Sequence, residues 1–252
     1  MKTIGWVAAA GSLVVLVACG GGGSSGAGDS SAAERAAPVR ISGVVARGAA
    51  LVEATVSARC ASGASASATS GSGGAYTLEV DASALPCVLE AVSADGVWTL
   101  HSVALGSAGA PGVTAHITTL TELLVAQLAG TPPASFMAKA SARTLGATIT
   151  PANIASAQGT VRSTLKLMGV DPAPITNVLA QPLVAASAVQ RGNVHDQVLD
   201  ALAESMRGAG AQLADLVGLV TSRARTLDQG QDPAPADQAE IQNSGRTRLF
   251  LH

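Results

Sequence analysis

From Pro38 to Thr118 apolar residues recur at about every second position, and from Thr119 onward at every third or fourth. Side chains alternate faces along a strand and return to one face about every 3.6 residues along a helix, so this change of period splits the chain into a β part and an α part. Strands grouped ahead of helices predict an α+β fold. In the β part, VRISGVV (39–45), EATVSARC (53–60), AYTLEVD (75–81), CVLEAVSA (87–94), WTLHSVAL (98–105) and VTAHIT (113–118) each read as a strand. Turn signals separate them: SGSGG (70–74), ADG (94–96) and GSAGAPG (106–112). Tyr76, Leu78 and Val80 alternate with Thr77 and Glu79, giving one buried and one wet face. Short strands in this arrangement predict an antiparallel β-sandwich over residues 38–117.

In the α part, Thr119 and Glu122 read as a capping box ahead of Leu120, Leu123, Leu124 and Leu128, and Gly130 with Pro132 and Pro133 ends that helix. Thr131 reads as the cap of a short helix through Phe136 and Met137. Thr150-Pro151 opens another, in which Ile154, Val161, Leu165 and Met168 recur at helical spacing until Gly169. Val194, Val198, Leu199 and Leu202 mark a further helix, and Leu213, Leu216, Val217 and Val220 a last one. These stripes predict a small helical bundle over residues 118–226, packed on itself or on the sandwich; a partner-binding groove is the alternative reading of the same faces. Residues 227–252, rich in Asp, Gln, Pro and Ala, read as a disordered tail.

Aromatic residues make up 2% of the chain, so the core must rest on Val, Leu, Ile and Ala, which bury less area per residue than rings do. Such a core predicts modest stability and makes a cross-link valuable. The formal net charge is −2 and no Lys/Arg cluster occurs, which excludes the basic footprint of a nucleic-acid binder and of a polybasic lipid-binding segment.

Ahead of the folded part, Lys2, an apolar run from Ile4 to Val17 and small residues before Cys19 have the layout of a secretory signal over residues 1–18. The run falls short of the roughly 20 apolar residues of a membrane span; an uncleaved N-terminal anchor is the alternative. Leu16-Val17-Ala18-Cys19 resembles the lipobox of bacterial lipoproteins. That resemblance implies cleavage before Cys19, a diacylglyceryl group on its thiol and acylation of its new amine. Several acyl chains, each CH₂ contributing about 0.8 kcal/mol, anchor stably where one chain is marginal. Gly20 stands where lipoproteins retained at the inner membrane tend to carry Asp, which implies the outer membrane. The membrane, through Cys19, is thus the one partner this stretch predicts. Residues 20–37 are a Gly/Ser-rich tether with a reach on the order of 20 Å. Within it, Gly22-Gly23-Ser24-Ser25-Gly26 fits the nucleophile-elbow pattern, and Gly21, Gly23 and Gly26 fit the dinucleotide pattern. Both motifs need a strand before and a helix after, and neither flank offers one.

SGVVARGAALVEATVSARC (42–60) followed by GSGGAYTLEV (71–80) resembles the carboxypeptidase-regulatory-like, transthyretin-like sandwich. The continuation through LHSVALGS to HITTLTELLVAQLAG is similar to lipoproteins of Burkholderia-type bacteria, in which such a sandwich leads directly into a Thr-Leu-Thr helix start. These motifs describe strands and turns, so they imply a fold and not an activity; the regulatory-like module is not a peptidase.

With Cys19 assigned to lipid, Cys60 and Cys87 remain, one ending a strand and the other beginning one. In an exported chain an even pair predicts a disulfide, contributing roughly 3–4 kcal/mol by chain entropy; two separate buried thiols are the alternative. No C-x-x-C motif supports catalytic thiol chemistry. Of the four histidines, His101, His116, His195 and His252, no two share metal-ligand spacing. His101 and His116 lie on neighbouring predicted strands, within reach of each other but with no carboxylate assigned nearby, and read as ordinary strand histidines. His195-Asp196 reads as a helix start where Asp complements the dipole. Glu53, Glu79, Asp81, Glu90 and Asp95 read as solvated, so no catalytic, metal or cofactor residues are predicted. The expectation is a non-catalytic envelope lipoprotein, a spacer or protein-interaction module with an envelope partner. A carbohydrate- or peptide-binding module is the runner-up, with Tyr76, Trp98 and Phe136 as its only rings in the folded part, and a hydrolase ranks third.

Overall fold

The computed structural model describes residues 38–106, 110–187 and 190–228. The signal, Cys19 and the tether lie outside the described residues, as does the tail from residue 229. The chain is α+β: among the described residues, two sheets precede six α-helices. The strands are β1 (Pro38–Ala46), β2 (Thr55–Cys60), β3 (Ser65–Thr69), β4 (Ala75–Asp81), β5 (Cys87–Val92), β6 (Thr99–Ala104), β7 (Gly112–Thr114) and β8 (Ile117–Thr118). The helices are α1 (Thr119–Ala129), α2 (Pro133–Ala138), α3 (Ala142–Thr148), α4 (Pro151–Leu167), α5 (Val194–Gly208) and α6 (Leu213–Asp228).

The first sheet runs β4-β1-β7, with β4 antiparallel and β7 parallel to β1; β8 continues parallel to β1 farther along it. The second runs β3-β2-β5-β6, all antiparallel. One cluster joins them: Ile41, Val45, Tyr76 and Leu78 from the first sheet meet Val56, Ala58, Leu89 and Leu100 from the second. The opposite face of β5 and β6 supplies Val88 and Val103 to a second cluster with Leu120, Leu123 and Leu124 of α1. Sheet residues of β6 are therefore buried on both faces, and α1 is enclosed through its first two turns.

Five of the six expected strands are present with boundaries shifted by two residues or fewer. The stretch 113–118 is a correction: it breaks at Ala115–His116 into β7 and β8. There the Ala115 carbonyl accepts from the Tyr76 hydroxyl, and the His116 N–H donates to the Leu179 carbonyl (2.8 Å), so the ladder to β1 is interrupted by partners from elsewhere. Gly43 makes the step possible, because a Cβ on it would lie 2.1 Å from the Ala115 oxygen. Gly74 is needed for a related reason: its φ is +74° and an added Cβ would lie 2.3 Å from the Val45 oxygen. β3, an alternation of Ser and Ala, carries too little hydrophobic contrast to read as a strand and is held by its register on β2.

Several helix signals also move. The capping box of α1 is Thr118 with Thr121, not Thr119 with Glu122, which leaves Glu122 free for a distant partner. Pro132, not Thr131, stands at the N-cap position of α2, with no side-chain hydrogen bond to the first turn. α3, opened by a Ser141–Thr144 box, was not legible from its apolar spacing. Val194 is 51% exposed and does not join Val198, Leu199 and Leu202 in the core. Gly130 closes α1 in the left-handed conformation and Thr150 caps α4, both as expected. The last helix extends to Asp228, two residues past the predicted end of the helical segment at 226.

Candidate functional site

Among the described residues, two buried polar clusters are built around histidine. The first sits where α1 covers β6, the edge strand of the second sheet. His101 lies opposite Glu90 of β5 and is 1% exposed. An edge strand presents unpaired backbone groups, and the first turn of α1 satisfies them here. Glu122 Oε2 accepts from the His101 backbone N–H (2.6 Å), and Thr121 Oγ1 donates to the His101 carbonyl (2.8 Å). The same Glu122 oxygen contacts His101 Nδ1 at 2.9 Å, while Glu90 Oε2 lies 3.4 Å from Nε2. A carboxylate that takes two N–H groups of one residue fixes the helix to the strand more firmly than a neutral contact. One expectation is corrected by this: His101 has a carboxylate near each ring nitrogen, with Glu90, read as solvated, remaining 29% exposed beside it.

The second cluster joins the β7–β8 step, the connector between α4 and α5, and α5 itself. His116 meets His195, not His101: their ring centroids are 5.7 Å apart at 87°. The Val44 N–H donates to His116 Nδ1 (3.1 Å), and His116 Nε2–H donates to the Gln181 carbonyl (2.9 Å). The partners thus require the Nε2–H tautomer. His195 Nδ1 reaches the same carbonyl at 3.2 Å, and its buried Nε2 has no partner among the described residues. Burial, then the neighbouring His195, lowers His116 to about 4, with the Gln181 carbonyl acting in the opposite direction. Burial lowers His195 as well.

Asp196, next along α5, does more than complement a dipole. It is fully buried, its Oδ2 accepts from the Ala186 N–H (2.9 Å), and a Cβ on Gly192 would lie 1.8 Å from that oxygen. Burial raises its pKa, opposed by the Ala186 bond. Around the same connector, Arg162 of α4 donates to the carbonyls of Ile175 and Thr176, and Gln158 accepts from the Val178 N–H.

Cys60 and Cys87 are paired across β2 and β5 as a disulfide, with Cα atoms 3.9 Å apart. Trp98 carries the Arg47 guanidinium 3.4 Å from its ring centroid, and burial lowers the Arg47 pKa. Among the described residues, no group of three or more His, Cys, Asp or Glu side chains is arranged to hold a metal ion. The role of Glu122 was open to reading, since a Glu in a first helical turn is available to any neighbour. The Gln181 carbonyl left no signal, because a backbone acceptor has no side-chain signature. Scans against protein-family models, curated proteins and solved structures each found no match to the chain.

Proposed function

We propose that the chain is a lipoprotein of the bacterial cell envelope, anchored through acyl chains on Cys19 at the outer membrane. Its body, a transthyretin-like sandwich with a small helical bundle, serves as a non-catalytic spacer or protein-interaction module. The observation that carries this reading is the disulfide. Of three cysteines, Cys60 and Cys87 are joined to each other, which leaves Cys19 behind Leu16-Val17-Ala18 as the thiol for lipid. A structural disulfide belongs to an oxidising compartment, the destination of an exported chain. Two sheets around one core, with β2, β5 and β6 antiparallel, are consistent with the sandwich named.

Burial of His101, His116 and His195 supports a non-catalytic body, since each ring is closed off from solvent and makes at least one hydrogen bond within the fold. Ring placement supports an interaction module over a sugar-binding one. Tyr76 and Phe136 are 4% and 8% exposed, and Arg47 lies over Trp98. Metabolic labelling with palmitate tests the anchor: label is expected on the wild type and absent from Cys19→Ala, and label persisting in the variant refutes it. Crosslinking in the native envelope identifies the partner, and glycan-array binding lost in Trp98→Ala would reverse the preference.

A further inference from the structure

We propose that the outer edge of β3 is a homodimer interface: it pairs antiparallel with β3 of a second copy of this chain, about a two-fold axis at Ser67, and joins the two second sheets into one. The register on β2 shows which backbone groups are available. The Cys60 N–H donates to the Ala64 carbonyl and the Ser70 N–H to the Ala54 carbonyl, both at 2.9 Å. Hydrogen-bonded pairs alternate along an antiparallel ladder, so Ala64, Ala66, Ala68 and Ser70 turn their backbone groups toward β2. Ser65, Ser67 and Thr69 turn theirs outward, where they meet no partner among the described residues. Their side chains are exposed as well, while Ala66 and Ala68 pack against the sandwich core.

An unpaired strand edge is a template for another strand unless something blunts it. The remaining edges among the described strands are blunted. β6 is closed by Thr121 and Glu122 on the backbone of His101. β7 is three residues long and gives way to the His116 N–H bound to the Leu179 carbonyl. β4, which lies beside β3 on the same side of the sandwich, carries exposed Glu79 and Asp81. β3 has none of these devices: Ser65-Ala66-Ser67-Ala68-Thr69 holds no charge, no proline and no bulge against β2.

The occupant that fits this edge is the same strand. A two-fold axis at Ser67 sets Ser65 opposite Thr69 of the second copy, Ser67 opposite Ser67, and Thr69 opposite Ser65. All are outward-turned residues, so each pair exchanges both N–H···O bonds. The side chains that meet across the axis are hydroxyls, which pair between strands without charge repulsion. Arg59 of the adjoining β2 lies beside Ser65, so the two copies of Arg59 fall at opposite ends of the paired strands. Two copies of β4 would instead bring Glu79 and Asp81 toward their like. Five residues at about 3.4 Å each span about 17 Å of edge, at the low end of interface sizes, so the dimer is reversible and concentration-dependent.

Cross-linking reads the register in the full chain carrying Cys19→Ala, which removes the competing thiol and makes the result independent of the anchor proposed above. Ser67→Cys places two thiols opposite each other on the axis, whereas Ser65→Cys places them about 14 Å apart along the strands, beyond disulfide reach. Under mild oxidation Ser67→Cys is expected to form a covalent dimer at least about tenfold faster than Ser65→Cys or Thr69→Cys alone. An equal mixture of the latter two is expected to form the mixed dimer. Sedimentation of the Cys19→Ala chain at up to about 1 mM is expected to show a reversible dimer. Ser67→Lys, which sets like charges opposite each other, and Ser67→Pro, which removes an N–H that β2 does not use, are expected to fold and stay monomeric. The proposal is overturned if the Cys19→Ala chain stays monomeric over that range, if Ser67→Cys links no faster than Ser65→Cys, if the mixed dimer does not form, or if either folded edge variant associates as its parent does. Cross-linking of the Ser67→Cys chain in cells to a different protein and not to itself would assign the edge to a foreign strand, and overturns it equally.

Discussion

Replacing Cys60 and Cys87 together by alanine removes a cross-link between residues 27 apart in sequence, directly opposite each other on β2 and β5. The chain-entropy relation for a loop of that length gives about 3.5 kcal/mol at 25 °C, through the greater freedom of the unfolded chain. Both sulfurs are buried, at 4% and 0% exposure, so losing them from the core adds roughly 1 kcal/mol. The sum, about 4–5 kcal/mol, corresponds to a fall in Tm on the order of 10–15 °C for a folded region of this size. Urea denaturation and thermal melts of the oxidised wild type, the reduced wild type and the double variant separate the two contributions. Reduced wild type keeps the sulfurs and is expected to lose about 3.5 kcal/mol; the alanine variant is expected to lose about 1 kcal/mol more. Reduced protein as stable as oxidised protein would refute the reasoning, because it would mean that β2 and β5 already associate in the unfolded chain and the link restricts nothing.

Glu122→Ala leaves the buried His101 N–H and ring without their acceptor and is expected to cost about 2–4 kcal/mol by urea melts, with Glu122→Gln closer to wild type. A loss under 1 kcal/mol would show that α1 is held to β6 by apolar contacts alone. Gly43→Ala forces a methyl group to within 2.1 Å of the Ala115 oxygen, a backbone atom that cannot rotate away. It is expected to cost about 2–3 kcal/mol, and an unchanged Tm would contradict the close approach. Because His116 is depressed to about 4 in the fold, the unfolded chain binds more protons below pH 6.5 and stability falls as pH drops from there toward 4. The expected loss at pH 5 is roughly 2 kcal/mol from this group. Asp196 and Asp200, both raised by burial, act with the opposite sign, stabilising the fold in acid and losing that contribution as pH rises through their folded values. Urea melts at pH 7 and pH 5 measure the balance, and His116→Asn is expected to remove the loss.

Features written in local sequence were legible where the cause is also local. AYTLEVD alternates because one face is wet, and β4 occupies those residues. Gly130 ends α1 because the left-handed conformation excludes most side chains, and Thr150 caps α4 through an oxygen three residues from its donor. Cys60 and Cys87 could be paired from sequence because no other assignment used them. The sequence by itself thus determined the strand-then-helix order, most turns between strands, the end of α1 and the start of α4, and the cross-link. Tertiary structure alone decided the destinations of Glu122, His116 and Asp196. Glu122 meets a residue 21 positions away, and His116 a carbonyl 65 positions away. Periodicity says which face a side chain occupies, but a hydrogen-bond partner is chosen by what the packed layers bring to that face. The break at His116 is the sharpest case. Its run of residues has the pattern of one strand, and the connector from α4 to α5, carrying Leu179 and Gln181, divides it in two.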